Sequence, residues 1–114
     1  MVMLAEELTV ERLTKMRDAE LFDHDVRLDR LRLKMARTMD ARRAAKGNAN
    51  AALRTLKMRG YSEGLRLMYR EKMREYRAIK ADWQSLEADA LRCMDSIRTV
   101  KSAYASDMRW AANR

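Results

Sequence analysis

The sequence predicts an all-α protein: a long antiparallel helical hairpin, coiled-coil-like, with an extended second helix that overhangs the first. Three observations lead there. The 114 residues contain no proline and only three glycines, whereas a proline inside a helix costs about 3 kcal/mol and a glycine about 1 kcal/mol relative to alanine. Apolar residues recur at helical rather than alternating spacing. One segment, Lys46-Gly47-Asn48-Ala49-Asn50, has the chemistry of a turn, because glycine ends a helix in the left-handed conformation and Asn50 can cap the next.

The first arm is expected from about residue 5 to 45. It carries Leu21, Leu28, Leu31, Met35 and Met39 on one stripe, with Phe22, Val26 and Leu33 on a neighbouring one. The second arm, about 51 to 111, holds the most regular signal: Tyr76, Ile79, Trp83, Leu86, Ala90, Cys93, Ile97, Val100 and Tyr104 alternate in steps of three and four, which is a coiled-coil seam. Followed backwards, the frame meets Tyr69, Leu65 and Met58, interrupted by Lys72 and Ser62. Gly60 and Gly64 could mark a second turn; because the frame survives across both, a single helix is expected, with 60–64 as the place where it could bend. With 47% hydrophobic and 37% charged residues, residues 1–114 form one slim helical domain rather than a thick globular core.

A reversal at Gly47 pairs residues whose numbers add to about 96. Leu31 then meets Leu65, Met39 meets Lys57 and Met58, Leu21 falls near Tyr76, Leu13 near Trp83 and Val10 near Leu86. The first arm is exhausted opposite Cys93 to Asp95, yet the seam continues. Ile97, Val100, Tyr104 and Met108 therefore lack an internal partner and are the expected self-assembly surface.

Charge is uneven along the chain. Residues 1–26 hold 3 basic and 7 acidic side chains (−4), residues 27–80 hold 17 and 5 (+12), and residues 81–114 hold 5 and 5 (0), which together make the net +8. A basic hairpin tip follows, with Lys34, Arg37, Arg42, Arg43, Lys46, Arg54, Lys57 and Arg59 as its anion-binding candidates. Such a cluster repels itself unless a counter-charge is present, and near an acidic bilayer each cation contributes on the order of 1 kcal/mol. Few aromatics beyond Tyr61 and Tyr69 stand near these cations to stack on bases, so nucleic acid is the less favoured partner.

Enzymatic chemistry has little support. His24, the single histidine, sits among Glu20, Asp23 and Asp25, where a solvated helix face is the plainer reading than a metal site. Cys93 lies on the apolar seam, where packing explains it better than nucleophilic catalysis. Gly60-Tyr61-Ser62-Glu63-Gly64 lacks the lysine and spacing of a phosphate-binding loop. Paired acids such as Glu6-Glu7 and Glu71 with Glu75 read as surface ion pairs, and the methionines as gap-fillers of a slim core. No cofactor or metal is expected.

Nothing near Met1 reads as a signal peptide or mitochondrial presequence, and no run approaches the roughly 20 apolar residues of a membrane span. Val2 stands where N-myristoylation needs glycine. Membrane contact would be peripheral, and Met1 to Leu4 are a candidate for shallow insertion, with ordinary packing as the alternative. A lone cysteine forms no internal disulfide and suits a reducing, cytoplasmic setting.

The stretch Ala52-Leu53-Arg54-Thr55-Leu56-Lys57-Met58-Arg59-Gly60-Tyr61-Ser62-Glu63-Gly64-Leu65 resembles the start of the second helix in ESCRT-III proteins, the charged multivesicular body family. Gly47, six residues before Leu53, is similar to the glycine at that family's hairpin turn, and the arm that begins near Arg17-Asp18 is similar to its first helix. Over residues 10 to 108 the resemblance implies a membrane-remodelling subunit, peripheral on endosomal membrane. Its basic hairpin would lie on acidic lipid while its second helix packs against like or related subunits in a filament. The family's acidic C-terminal helices and its motif for the disassembling AAA ATPase have no counterpart up to Arg114, and Gly60 and Gly64 replace bulkier polar residues. Autoinhibition and ATPase recruitment are therefore not expected of these residues. The alternative is a structural subunit of a large complex, such as a ribonucleoprotein, whose basic tip meets RNA or an acidic protein. A regulatory protein offering a basic amphipathic helix to an acidic partner is the remaining possibility.

Overall fold

Thr9 opens the first helix. Its carbonyl accepts from the Leu13 amide at 2.9 Å and its hydroxyl from the Arg12 amide at 3.1 Å, the N-cap arrangement that satisfies amides left without an intrahelical partner. The computed structural model describes residues 8–113, so the candidate insertion segment Met1 to Leu4 lies outside the described residues. Helix α1 runs Val10–Arg59 and helix α2 Glu63–Ala112, 50 residues each. The two pack as an antiparallel hairpin, the all-α architecture that the sequence predicts.

The place of the turn differs from expectation. The chain reverses at Gly60-Tyr61-Ser62, and α1 passes through residues 46–50 without a break. Gly60 adopts φ 79°, the left-handed conformation that costs other residues roughly 1–2 kcal/mol. Ser62 then caps α2, its hydroxyl accepting from the Leu65 amide at 3.1 Å and its carbonyl from the Arg66 amide at 3.0 Å. Lys57 and Arg59 in the last turn of α1, and Glu63 in the first of α2, oppose the helix dipoles favourably. Residues 60–62 are thus the hairpin turn rather than a bend in one long helix, and Gly64 lies within the first turn of α2.

Magnitudes explain why Gly60 wins over Gly47. Carrying Gly47 and two asparagines inside a helix costs on the order of 2 kcal/mol. A reversal at Gly47 would leave Ile97, Val100, Tyr104 and Met108 uncovered, forfeiting roughly 1.5–3 kcal/mol for each large apolar side chain that could be fully buried. With the turn at Gly60 the helices are equal in length and, among the described residues, neither overhangs the other. Ile97 is buried, and Val100, Tyr104 and Met108 are half-buried.

The hairpin comprises two compact units, residues 8–30 with 90–113, and Leu31–Asp89. In the first, Leu13, Leu21, Leu28, Ala90, Cys93 and Ile97 are buried. The Cys93 thiol donates to the His24 carbonyl at 3.3 Å, and the Tyr104 hydroxyl to the Glu20 carboxylate at 2.8 Å. His24 itself is half-buried on the seam rather than on a solvated face. In the second unit, which carries the turn, Leu31, Ala45, Ala49 and Ala52 are buried, and the Arg42 guanidinium lies 5.5 Å from the centre of the Trp83 ring. These cross-helix partners have numbers that add to about 121 rather than about 96. Within the turn unit that register sets Ala52 against Tyr69, Ala49 against Lys72 and Ala45 against Tyr76. Small residues on α1 make room for large ones on α2.

Candidate anion-binding face

The heptad frame gives each helix two flanks beside its seam, and in an antiparallel pair like flanks meet. In the turn unit two grooves identify them. One is lined by Met39, Arg42, Arg43 and Lys46 with Tyr76, the other by Lys34, Arg37 and Thr38 with Asp82, Ser85 and Leu86. Extending each flank at heptad spacing yields two unlike faces. The first carries Arg43, Lys46 and Lys57 from α1 and Arg66, Arg70, Arg77 and Lys80 from α2, with no carboxylate at the positions of this flank over residues 43–57 or 66–80. The second carries Ala41, Ala44 and Ala51 from α1, and Glu71, Glu75 and Asp82 from α2. Among the described residues no ion pair engages the seven cations of the first face, whereas Lys72 turns to Glu75 at 3.6 Å.

Charge divides between the two units as sharply. Residues 31–89 hold 15 basic and 7 acidic side chains, net +8, and the other residues hold 10 and 10. The whole excess belongs to the unit with the turn. Two large apolar side chains flank the turn, Met58 at 85% exposure and Tyr61 at 73%. The Arg66 guanidinium donates to the Tyr61 hydroxyl at 3.2 Å, which sets the ring beside the basic face.

The eight cations singled out from sequence all fall in this unit, but they do not form one surface. Arg43, Lys46 and Lys57 share the acid-free face. Arg42 is half-buried at the seam, Lys34 and Arg37 line the groove that also holds Asp82, Arg54 stands on the side of α1 away from the seam, and Arg59 closes the helix at the turn. Sequence reasoning missed Arg66, Arg70, Arg77 and Lys80. A reversal at Gly47 moved them away from the tip, and charge counted at every seventh position would have found them.

Tyr76 stands where the basic face meets the seam. The Arg42 guanidinium, in hydrogen-bonding reach of its hydroxyl, holds the phenol below its ordinary value of 10.0, and the charges of Arg42, Lys80 and Lys46 act the same way against the opposing effect of desolvation. Tyr104, in the other unit, shifts upward because its hydroxyl donates to the Glu20 carboxylate.

The proposed assembly residues are placed differently from expectation. Ile97, Val100, Tyr104 and Met108 belong to the intramolecular seam and offer no free stripe. The segment 52–65 that carries the family resemblance spans the end of α1, the turn and the first residues of α2 instead of opening the second helix. Comparison with family models, curated proteins and solved structures returns no match. Among the described residues no group of three potential ligands is placed to hold a metal, and no helix is long and apolar enough to cross a membrane.

Proposed function

We propose that this protein is a peripheral membrane-binding hairpin that lays the basic face of its turn unit on anionic lipid, in the manner of an ESCRT-III membrane-remodelling subunit. The observation that carries this reading is the acid-free row Arg43, Lys46, Lys57, Arg66, Arg70, Arg77 and Lys80. Seven cations at about 1 kcal/mol each near an acidic surface suffice for reversible docking. Exposed Tyr61 at the end of that row favours lipid over RNA, since an amphipathic ring gains by entering the headgroup layer. The family resemblance adds remodelling and self-association to this reading and suggests an endosomal setting. Assembly would then use surfaces other than the Ile97 to Met108 seam, which the hairpin itself consumes.

Co-sedimentation with phosphatidylcholine vesicles, with and without phosphatidylserine, tests the proposal, and electron microscopy of the same mixtures tests remodelling. The expected result is binding that requires the acidic lipid, falls with salt, and is lost when Arg66, Arg70 and Arg77 are changed to glutamate. Salt-sensitive binding to RNA with no binding to acidic vesicles would overturn it.

A further inference from the structure

On the basic face the two helices leave a groove of about 260 Å³ between them, lined by Met39, Arg42, Arg43 and Lys46 of α1 and Tyr76 of α2. Three of these five residues are cations, and Lys80 stands near enough to act on the Tyr76 hydroxyl. Arg42 is held in place rather than waving in solvent: it is half-buried, with its guanidinium 5.5 Å from the Trp83 ring centre. A cation fixed in advance against an aromatic ring loses little freedom when an anion arrives.

We propose that this groove is a binding site for a multiply phosphorylated headgroup, gripped by Arg42, Arg43 and Lys46 and oriented by the Tyr76 hydroxyl. The ligand is matched by charge and size. Three cations lining the cavity, with Lys80 close by, exceed what a carboxylate, or one phosphate carrying at most about two negative charges, can neutralise. The guanidinium forks of Arg42 and Arg43 fit phosphate oxygens, Lys46 adds a mobile point charge, and the phenol can donate one further hydrogen bond. The acidity of Tyr76 agrees, since cations converging on its oxygen hold the phenol below its ordinary value. The cavity suits a compact ring bearing two or more phosphates, presented by a lipid or free in solution. The proposal rests on the basic-face reading and narrows it from a diffuse surface to one specific position.

Trp83 supplies the readout, in a Trp110→Phe background so that it alone fluoresces. Soluble inositol trisphosphate is titrated against Trp83 emission. In parallel, phosphatidylcholine vesicles containing phosphatidylinositol bisphosphate are compared with phosphatidylserine vesicles of equal surface charge. Two charge-neutralising pairs are compared: Arg43→Gln with Lys46→Gln in the groove, and Arg66→Gln with Arg70→Gln on the same face outside it. Circular dichroism confirms that both pairs keep their helix content. Expected are a saturable change in Trp83 emission, weakening of about tenfold in the groove pair against about twofold or less in the other, and a preference for bisphosphate vesicles that only the groove pair loses. Binding of the soluble trisphosphate without that vesicle preference also supports the site and makes free polyphosphate its source. Equal weakening in both pairs, or no trisphosphate binding at all, overturns the site while leaving the basic-face reading intact. That reading fails separately if neither vesicle binds.

Discussion

The Tyr104 hydroxyl donates a 2.8 Å hydrogen bond to the Glu20 carboxylate, joining residues 84 apart in the chain. Together with the Cys93 thiol on the His24 carbonyl, it pins the late part of α2 to the early part of α1. Leu21 therefore faces the region of Val100, not Tyr76. In a Cys93→Ser background, paired cysteines at Leu21 and Val100 are expected to cross-link rapidly within one chain under mild oxidation. The pair at Leu21 and Tyr76 is expected to stay reduced, and the reverse result in non-reducing electrophoresis would restore the Gly47 turn.

Two glycines should respond to alanine with opposite sign. Gly60→Ala forces a side chain into φ 79° and is expected to cost about 1–2 kcal/mol. Gly47 lies within α1 with nothing within 4 Å of an added Cβ, so Gly47→Ala should stabilise by about 0.5–1 kcal/mol. Urea melts followed by circular dichroism read both, and destabilisation by Gly47→Ala would contradict a helix through that position.

Ser62 provides a third local check. Its hydroxyl caps α2 through the Leu65 amide, so Ser62→Ala is expected to lose about 1 kcal/mol. Ser62→Asp should retain most of it, since a carboxylate also accepts from the amides at a helix start. Similar losses from both variants in the same urea melts would remove the cap assignment.

The two shifted phenols should part on alkaline titration. Tyr76 titrates below 10.0 because Arg42 stabilises the phenolate, and Tyr104 above it because its proton bridges to Glu20. For Tyr104 the raised folded-state value means that its contribution to stability is complete below the unfolded value near 10 and is lost as pH rises through the raised one. For Tyr76 the sign reverses: its contribution is present above the unfolded value and lost as pH falls through the depressed one. Ultraviolet difference titration should lose its high component in Tyr104→Phe and its low component in Tyr76→Phe. An unchanged curve in either variant would contradict the corresponding contact.

Ile97 separates the intramolecular seam from an assembly surface. It is 9% exposed, so Ile97→Asp buries a charge without a partner and is expected to cost more than about 3 kcal/mol of hairpin stability. Loss of self-association with the melting transition unchanged would instead return this residue to the surface.

Part of the basic face was legible in sequence. The basic excess of residues 27–80 pointed to the unit that carries the turn, because charge counting needs no register. What failed was the grouping of its cations. Lys34 and Arg43 are near neighbours in the chain yet line different grooves. Arg43 and Arg77, 34 residues apart, share one face because heptad frame and register bring like flanks together.

By itself the sequence determined that the chain is helical, that each arm carries a seam, and that the cations gather in the middle. These follow from local propensity, periodicity and composition, each readable along one helix. Only the tertiary structure decided where the chain reverses. The two registers differ by about 25 residues, close to three and a half heptads, so a seam slid by that amount still meets a seam. Pairing apolar with apolar could not tell them apart. Burial summed over both helices did: a turn at Gly60 covers Ile97 to Met108 and lets Ala45, Ala49 and Ala52 pack, at the small cost of carrying Gly47 inside a helix.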